Sequence, residues 1–177
     1  NYQDVILEHL HFDWTVNFDT KKLSGSVTLT MKMARDNVKF IELDSSKITI
    51  LNAAVNGTNV NFKIADSFKA LGNKLSLAVP QPMQKVDTAL TVVINYFVTA
   101  DASAMQWLDP SLTKGGKHPY LFTQCQAIHA RSMFPCQDTP GVKCPYSAVV
   151  AAPEWCTVLM SAVSEPKVIP ADRAGQK

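Results

Sequence analysis

Apolar and polar residues alternate with period two along much of the first hundred positions. Leu10, Phe12, Trp14, Val16 and Phe18 fall on one face, and His11, Asp13, Thr15 and Asn17 take the other. That is the signature of a half-buried strand. After a polar turn at 19–22, the alternation resumes with Leu23, Gly25, Val27, Leu29, Met31 and Met33 against Ser24, Ser26, Thr28, Thr30 and Lys32. The two segments predict a long antiparallel hairpin. Further strands are expected at 38–43 and 47–55. Asn56-Gly57 is expected to form a type I′ turn, because both residues tolerate positive φ. Val60, Phe62 and Ile64 alternate on the return strand, and Leu75, Leu77 and Val79 make another. Residues 90–98 are apolar almost throughout, which predicts a central strand covered on both faces.

Beyond Ala100 the pattern is less regular. Residues 103–108 fit one turn of helix, and 111–117 form a loop with Gly115-Gly116 at its tip. Strands are expected at 120–126, 146–152 and 156–163. Of the ten prolines, eight fall from Pro110 onward, so the second half reads as strands broken by shaped loops. The fold class is all-β, with mixed and antiparallel strands in two or more packed sheets. Residues 1–164 form one domain, and 165–177 read as a linker.

Composition narrows the function. The chain has 177 residues and a formal charge of +2, enough length for one core and no basic excess to meet a phosphate backbone. A nucleic-acid partner is not expected. Hydrophobic residues make up 46% and charged residues 18%, which excludes a disordered chain. No apolar run approaches the roughly 20 residues of a membrane helix, so no membrane partner is expected. Cys125, Cys136, Cys144 and Cys156 form no C-x-x-C pair, and a domain of this size does not need staples. They are expected to be free thiols in a reducing, cytoplasmic setting.

Candidate chemistry is sparse in the first half. His9, His11 and Asp13 share a strand face at a spacing a metal tolerates, but no third ligand is designated, and a solvated polar face is the plainer reading. No H-E-x-x-H, G-x-S-x-G, G-x-G-x-x-G or P-loop is present. Cys125 and His129 are close enough in sequence for a nucleophile pair, yet no acyl-transfer signature surrounds them.

The stretch 118–146, HPYLFTQCQAIHARSMFPCQDTPGVKCPY, is richer. In an extended chain Gln124 and Gln126 point one way and Cys125 the other. Two neutral amides on one face suit a ligand ammonium and a ligand carbonyl, or local backbone groups. Pro135, Pro140 and Pro145 stiffen a loop in which Asp138 is expected to accept backbone N–H groups and Lys143 to pair with it or with another carboxylate.

The runs SAMQWL at 103–108, HPYLF at 118–122, QCQAIH at 124–129, PCQDTP at 135–140 and LMSA at 159–162 resemble the N-terminal domain of the gluzincin zinc aminopeptidases. They are most similar to the leukotriene A-4 hydrolase and aminopeptidase B subgroup. The resemblance implies a saddle-shaped β domain beside a catalytic zinc domain whose ligands lie outside these residues. Zinc is thus implied as a cofactor of the full-length enzyme and not of this chain, which alone is expected to cleave nothing. The implied partners are a peptide substrate, or a lipid epoxide where epoxide hydrolase activity accompanies the peptidase, and the chain's own catalytic domain. The resemblance carries over one site. Gln124, Cys125, Gln126 and Ala127 line the substrate cleft, and the Gln126 amide helps hold the peptide's free α-amino group. Thr139 stands where the wider family commonly has glutamate. The alternative is a non-catalytic β-sandwich interaction module, and the residues downstream of Lys177 distinguish the two.

Overall fold

The structure is a computed structural model and describes residues 1–164; the linker expected at 165–177 lies outside the described residues. Among the described residues, eleven strands form three sheets. They are β1 (Val5–Asn17), β2 (Lys22–Met33), β3 (Phe40–Ser45), β4 (Ile48–Val55), β5 (Thr58–Asn59), β6 (Phe62–Ile64), β7 (Asn73–Ala78), β8 (Ala89–Val98), β9 (Met105–Leu108), β10 (Tyr120–Thr123) and β11 (Tyr146–Ala151). The large sheet runs β11-β1-β2-β8-β4-β5, the second β3-β7-β6, and β9 and β10 form the third. Every pairing is antiparallel except β1 with β11, which is parallel. This is the all-β, mixed, multi-sheet architecture expected from the sequence.

The opening hairpin forms in the expected register, with Phe12 opposite Val27 and Leu10 opposite Leu29. β8 extends both rows, placing Ile94 beside Val27 and Val92 beside Leu29. These six side chains are buried. Gly25 lies between Trp14 and Tyr96 in the next row. With no side chain in the middle, the two rings meet over it, and Trp14 Nε1 donates to the Tyr96 hydroxyl at 2.8 Å. A Cβ on Gly25 would overlap the Asp13 carbonyl oxygen, and its φ of 146° suits glycine alone. Ile41, Leu43, Leu75 and Leu77 carry the second sheet into the same core.

β1 begins at Val5, earlier than the alternation suggests. The pairing with β2 slips between Leu7 and His9, so Glu8 is the extra residue of a bulge. The slip lets odd-numbered Val5 and Leu7 face the core together with even-numbered Leu10 and Phe12. It leaves His9 and His11 on the outer face, where His11 Nδ1 lies 2.8 Å from Ser147 Oγ. No group of three metal-ligating side chains forms among the described residues.

Four local expectations need correction. First, β8 is central but only its inward residues are buried. Val93 and Phe97 on the other face are half-buried, with Lys22 Nζ 3.7 Å above the Phe97 ring. Second, the Asn56-Gly57 turn has the expected positive φ at both positions, but its return strand is only β5. The chain then leaves the large sheet, and Phe62 and Ile64 pair with Leu77 and Leu75 in the small one. β6 overhangs the core as an edge strand, so these two apolar side chains stay exposed. Third, 105–108 is strand rather than helix, because β10 supplies its ladder partners. Fourth, 156–163 forms no strand. β11 occupies the sheet edge beside β1, and Leu159 and Val163 remain 85% and 96% exposed.

Candidate functional site

The third sheet delivers the candidate segment. Thr123 pairs with Met105 at the end of the β9–β10 ladder. The Gln124 N–H extends the ladder by one bond, to the Ala104 carbonyl at 2.9 Å. The extended chain then stops. Cys125 turns its carbonyl to the His129 N–H at 2.8 Å, and residues 126–129 form a turn. The Gln126–Ala127 peptide is cis. Gln124 and Gln126 are exposed with Ala127, and Cys125 is half-buried. The strand expected to run to Gln126 therefore ends at Thr123, because a local turn takes the backbone groups the ladder would have used.

The near end of the turn is held by that Gln124 bond, and the far end by two sets of contacts. On one side His129 Nδ1 lies 2.8 Å from Ser103 Oγ. Ser103 Oγ in turn donates to Ser132 Oγ at 3.2 Å. Ser132 Oγ accepts from the Ala104 N–H and donates to the His129 carbonyl, both at 2.8 Å. On the other side Arg131 is buried to 6% exposure. Its Nε donates to Asp138 Oδ2 at 2.9 Å and its Nη2 to the Asp138 carbonyl at 3.0 Å. Asp138 also accepts the Arg131 backbone N–H at 3.2 Å, the kind of turn-fixing bond expected of it. Its charged partner is Arg131, not Lys143.

Sequence reading passed over Arg131, Ser132, Ser103 and Asp44. A fully charged arginine inside a proline-rich loop was the available signal, since a guanidinium is seldom buried without a carboxylate. Its partner Asp44 on β3 is distant in sequence, so spacing does not disclose it.

The arrangement argues against a Cys125–His129 nucleophile. The His129 ring nitrogen faces Ser103. Burial first, and the Asp138 charge second, push the Cys125 thiol above the ordinary range. Burial does the same to Cys144. Cys136 is pushed well above it, by burial chiefly and by Asp138 and Asp44 in turn, with Arg131 opposing. Protonated thiols are weak nucleophiles. Cys125, Cys136 and Cys144 are free thiols.

These thiols make stability depend on alkali. The unfolded chain loses thiol protons near the usual value of about 8.5, while the folded protein retains them, so the folded state binds more protons above that pH. Stability is expected to be fully present below about pH 8.5 and to fall as pH rises beyond it. Melting curves in reductant between pH 7 and 10 check this. The alkaline slope should be shallower in Cys136→Ala, and an equal slope would contradict the role of Cys136.

The profile of the Peptidase M1 N-terminal domain matches residues 7–174. Leucine aminopeptidase 2-1 of Meyerozyma guilliermondii is 42% identical over 153 residues, which are 86% of this chain and 24% of that protein. Leukotriene A-4 hydrolase of Xenopus laevis is 35% identical over 159 residues, 90% of this chain and 26% of that one. The structure of yeast LTA4 hydrolase in complex with bestatin superposes with a TM-score of 0.80 at 35% identity, over 86% of this chain and 24% of that one. An M1 zinc metallopeptidase from Deinococcus radiodurans shares the fold, with a TM-score of 0.74 at 20% identity over 98% of this chain and 37% of that one. The chain thus spans about a quarter of the length of the curated relatives it matches.

Proposed function

Since the chain belongs to the Peptidase M1 N-terminal domain family, we propose that it serves a full-length zinc aminopeptidase by lining the substrate cleft and holding the peptide's N-terminus. The observation that carries this reading is the turn bearing Gln124, Cys125, Gln126 and Ala127. It is solvent-facing, yet tied at its near end by the Gln124 N–H and at its far end by the contacts of His129, Ser132 and Arg131. A rigid turn that presents an amide to solvent is suited to orienting a charged ligand group, because little entropy is lost on binding.

In this reading the Gln126 Oε1 accepts a hydrogen bond from the substrate's α-ammonium. Gln124, Cys125 and Ala127 border the same subsite. In this reading the zinc belongs to the remainder of the full-length protein, and this chain alone is expected to cleave nothing. The same remainder is the proposed cover for the exposed Trp155, Val158, Leu159 and Val163, an apolar group of the kind that marks an interface. Among the described residues no helix is long and apolar enough to cross a membrane. The free thiols of Cys125, Cys136 and Cys144 suit a reducing compartment, and the cytoplasm is the proposed location. Epoxide hydrolysis, implied by the likeness to leukotriene A-4 hydrolase, is a second activity of the same proposed enzyme.

The test is steady-state kinetics of the full-length enzyme with leucine p-nitroanilide. A hydrogen bond to a charged partner contributes about 1.5–3 kcal/mol. Gln126→Ala is therefore expected to lose about ten- to a hundredfold in kcat/KM. Gln126→Glu keeps the acceptor and adds a negative charge, so it should retain or improve amine binding. Thermal melting checks that both variants fold. Unchanged kcat/KM in folded Gln126→Ala would remove Gln126 from the subsite.

A further inference from the structure

Three charged side chains meet behind the 124–127 turn. The side chains of Arg131 and Asp138 are 8% and 10% exposed, and that of Asp44 is 42% exposed. Arg131 Nη1 lies 3.4 Å from Asp44 Oδ1 and donates to the Leu71 carbonyl at 2.6 Å. Asp44 Oδ2 accepts the Asp138 backbone N–H at 3.0 Å. Lys74 stands opposite Asp44 across the sheet, but it is paired with Glu42 at 2.8 Å. Arg131 is the cation that bridges the two carboxylates.

The cluster is tied to the turn in two ways. Mechanically, the Arg131 carbonyl accepts the Ser46 N–H at 2.8 Å, and Asp44 and Cys136 exchange backbone bonds at 2.7 and 3.2 Å. The far limb of the loop is thus fastened to β3, independently of the β9–β10 ladder that holds the near limb. Electrostatically, the Asp138 charge acts on the Cys125 thiol inside the candidate segment.

We propose that Arg131, clamped by Asp138 and Asp44, is a positioning residue of the amine-binding turn. The inference rests on the reading of Gln126 given above and deepens it. Gln126 supplies the contact, whereas the cluster holds the turn in place. The second sheet then has a role in recognition although none of its strands reaches the turn.

The experiment uses the full-length enzyme with two competitive ligands, leucinamide and its deaminated counterpart 4-methylpentanamide. The variants are Asp44→Asn, Arg131→Lys and, for reference, Gln126→Ala. Asp44→Asn deletes the charge while keeping an oxygen able to accept the Asp138 N–H. It is expected to weaken inhibition by leucinamide about three- to tenfold, raise KM for leucine p-nitroanilide similarly, and leave kcat and inhibition by 4-methylpentanamide unchanged. Arg131→Lys keeps the charge but not the fork of donors, and should lose part of the leucinamide affinity. Equal losses for both ligands, accompanied by a lowered Tm, would reduce the cluster to a structural role and overturn the proposal. So would unchanged leucinamide inhibition in folded Asp44→Asn and Arg131→Lys while Gln126→Ala still loses it. If Gln126→Ala keeps its leucinamide affinity as well, the amine subsite itself is misplaced and both readings fall.

Discussion

Trp14→Ala is expected to destabilise the protein by about 3–5 kcal/mol, the cost of truncating a fully buried aromatic side chain. The indole is 3% exposed. It stacks on Phe12 with ring centroids 4.2 Å apart and lies 6.2 Å from Phe134. Its Nε1 supplies a hydrogen bond to the buried Tyr96 hydroxyl, whose phenol burial pushes far above its ordinary range. Alanine leaves a cavity and takes that donor away from a hydroxyl with no route to water. Trp14→Phe separates the two effects, because it restores most of the volume but not the donor. Urea unfolding with the m-value monitored measures both. A loss below about 1 kcal/mol in Trp14→Ala would mean that the ring is not in the core.

Arg131→Ala is expected to cost a similar amount, about 3–5 kcal/mol, because it strands a buried carboxylate. Asp138 would lose its guanidinium, and the Leu71 carbonyl would lose its donor. The penalty arises from the charge left behind rather than from the net value of the pair. Arg131→Met combined with Asp138→Leu should therefore be less destabilised than Arg131→Ala alone, although it removes more polar contacts. A double variant as unstable as the single one would show that the backbone bonds to Asp138, not its charge, dominate the site.

Legibility of the fold tracks how local its determinants are. The β1–β2 hairpin was readable because one face is buried along its whole length, so period two persists through Leu10–Phe18 and Leu23–Met33. The bulge at Glu8 hid the first turn of β1, since it reverses the phase that the eye follows. Met105–Leu108 has only four residues, too few to display a period, and its state is set by Tyr120–Thr123 across a loop. The departure of the chain from the large sheet after Asn59 was invisible for the same reason. The Asn56-Gly57 turn fixes the hairpin, but nothing local says that Phe62 will choose β7.

The candidate site divides in the same manner. Alternation placed Gln124 and Gln126 on one side of an extended strand, but the strand ends before them, and it was the resemblance in the QCQAIH run that singled the segment out. Asp138 was legible as a turn-fixing residue from its prolines. Its partnership with Arg131 and Asp44 was not, because it joins a loop to a strand of another sheet.

The central claim is that this domain holds the α-amino group of a peptide through Gln126. The most direct measurement is the affinity of the full-length enzyme for leucinamide relative to 4-methylpentanamide, by calorimetric titration, in wild type and in Gln126→Ala. The ligands differ only in the amine, so their ratio isolates its contact. Wild type is expected to prefer the amine, and the preference should shrink about ten- to a hundredfold in the variant, matching the loss of one hydrogen bond to a charged group. An undiminished preference in a folded Gln126→Ala enzyme would contradict the account.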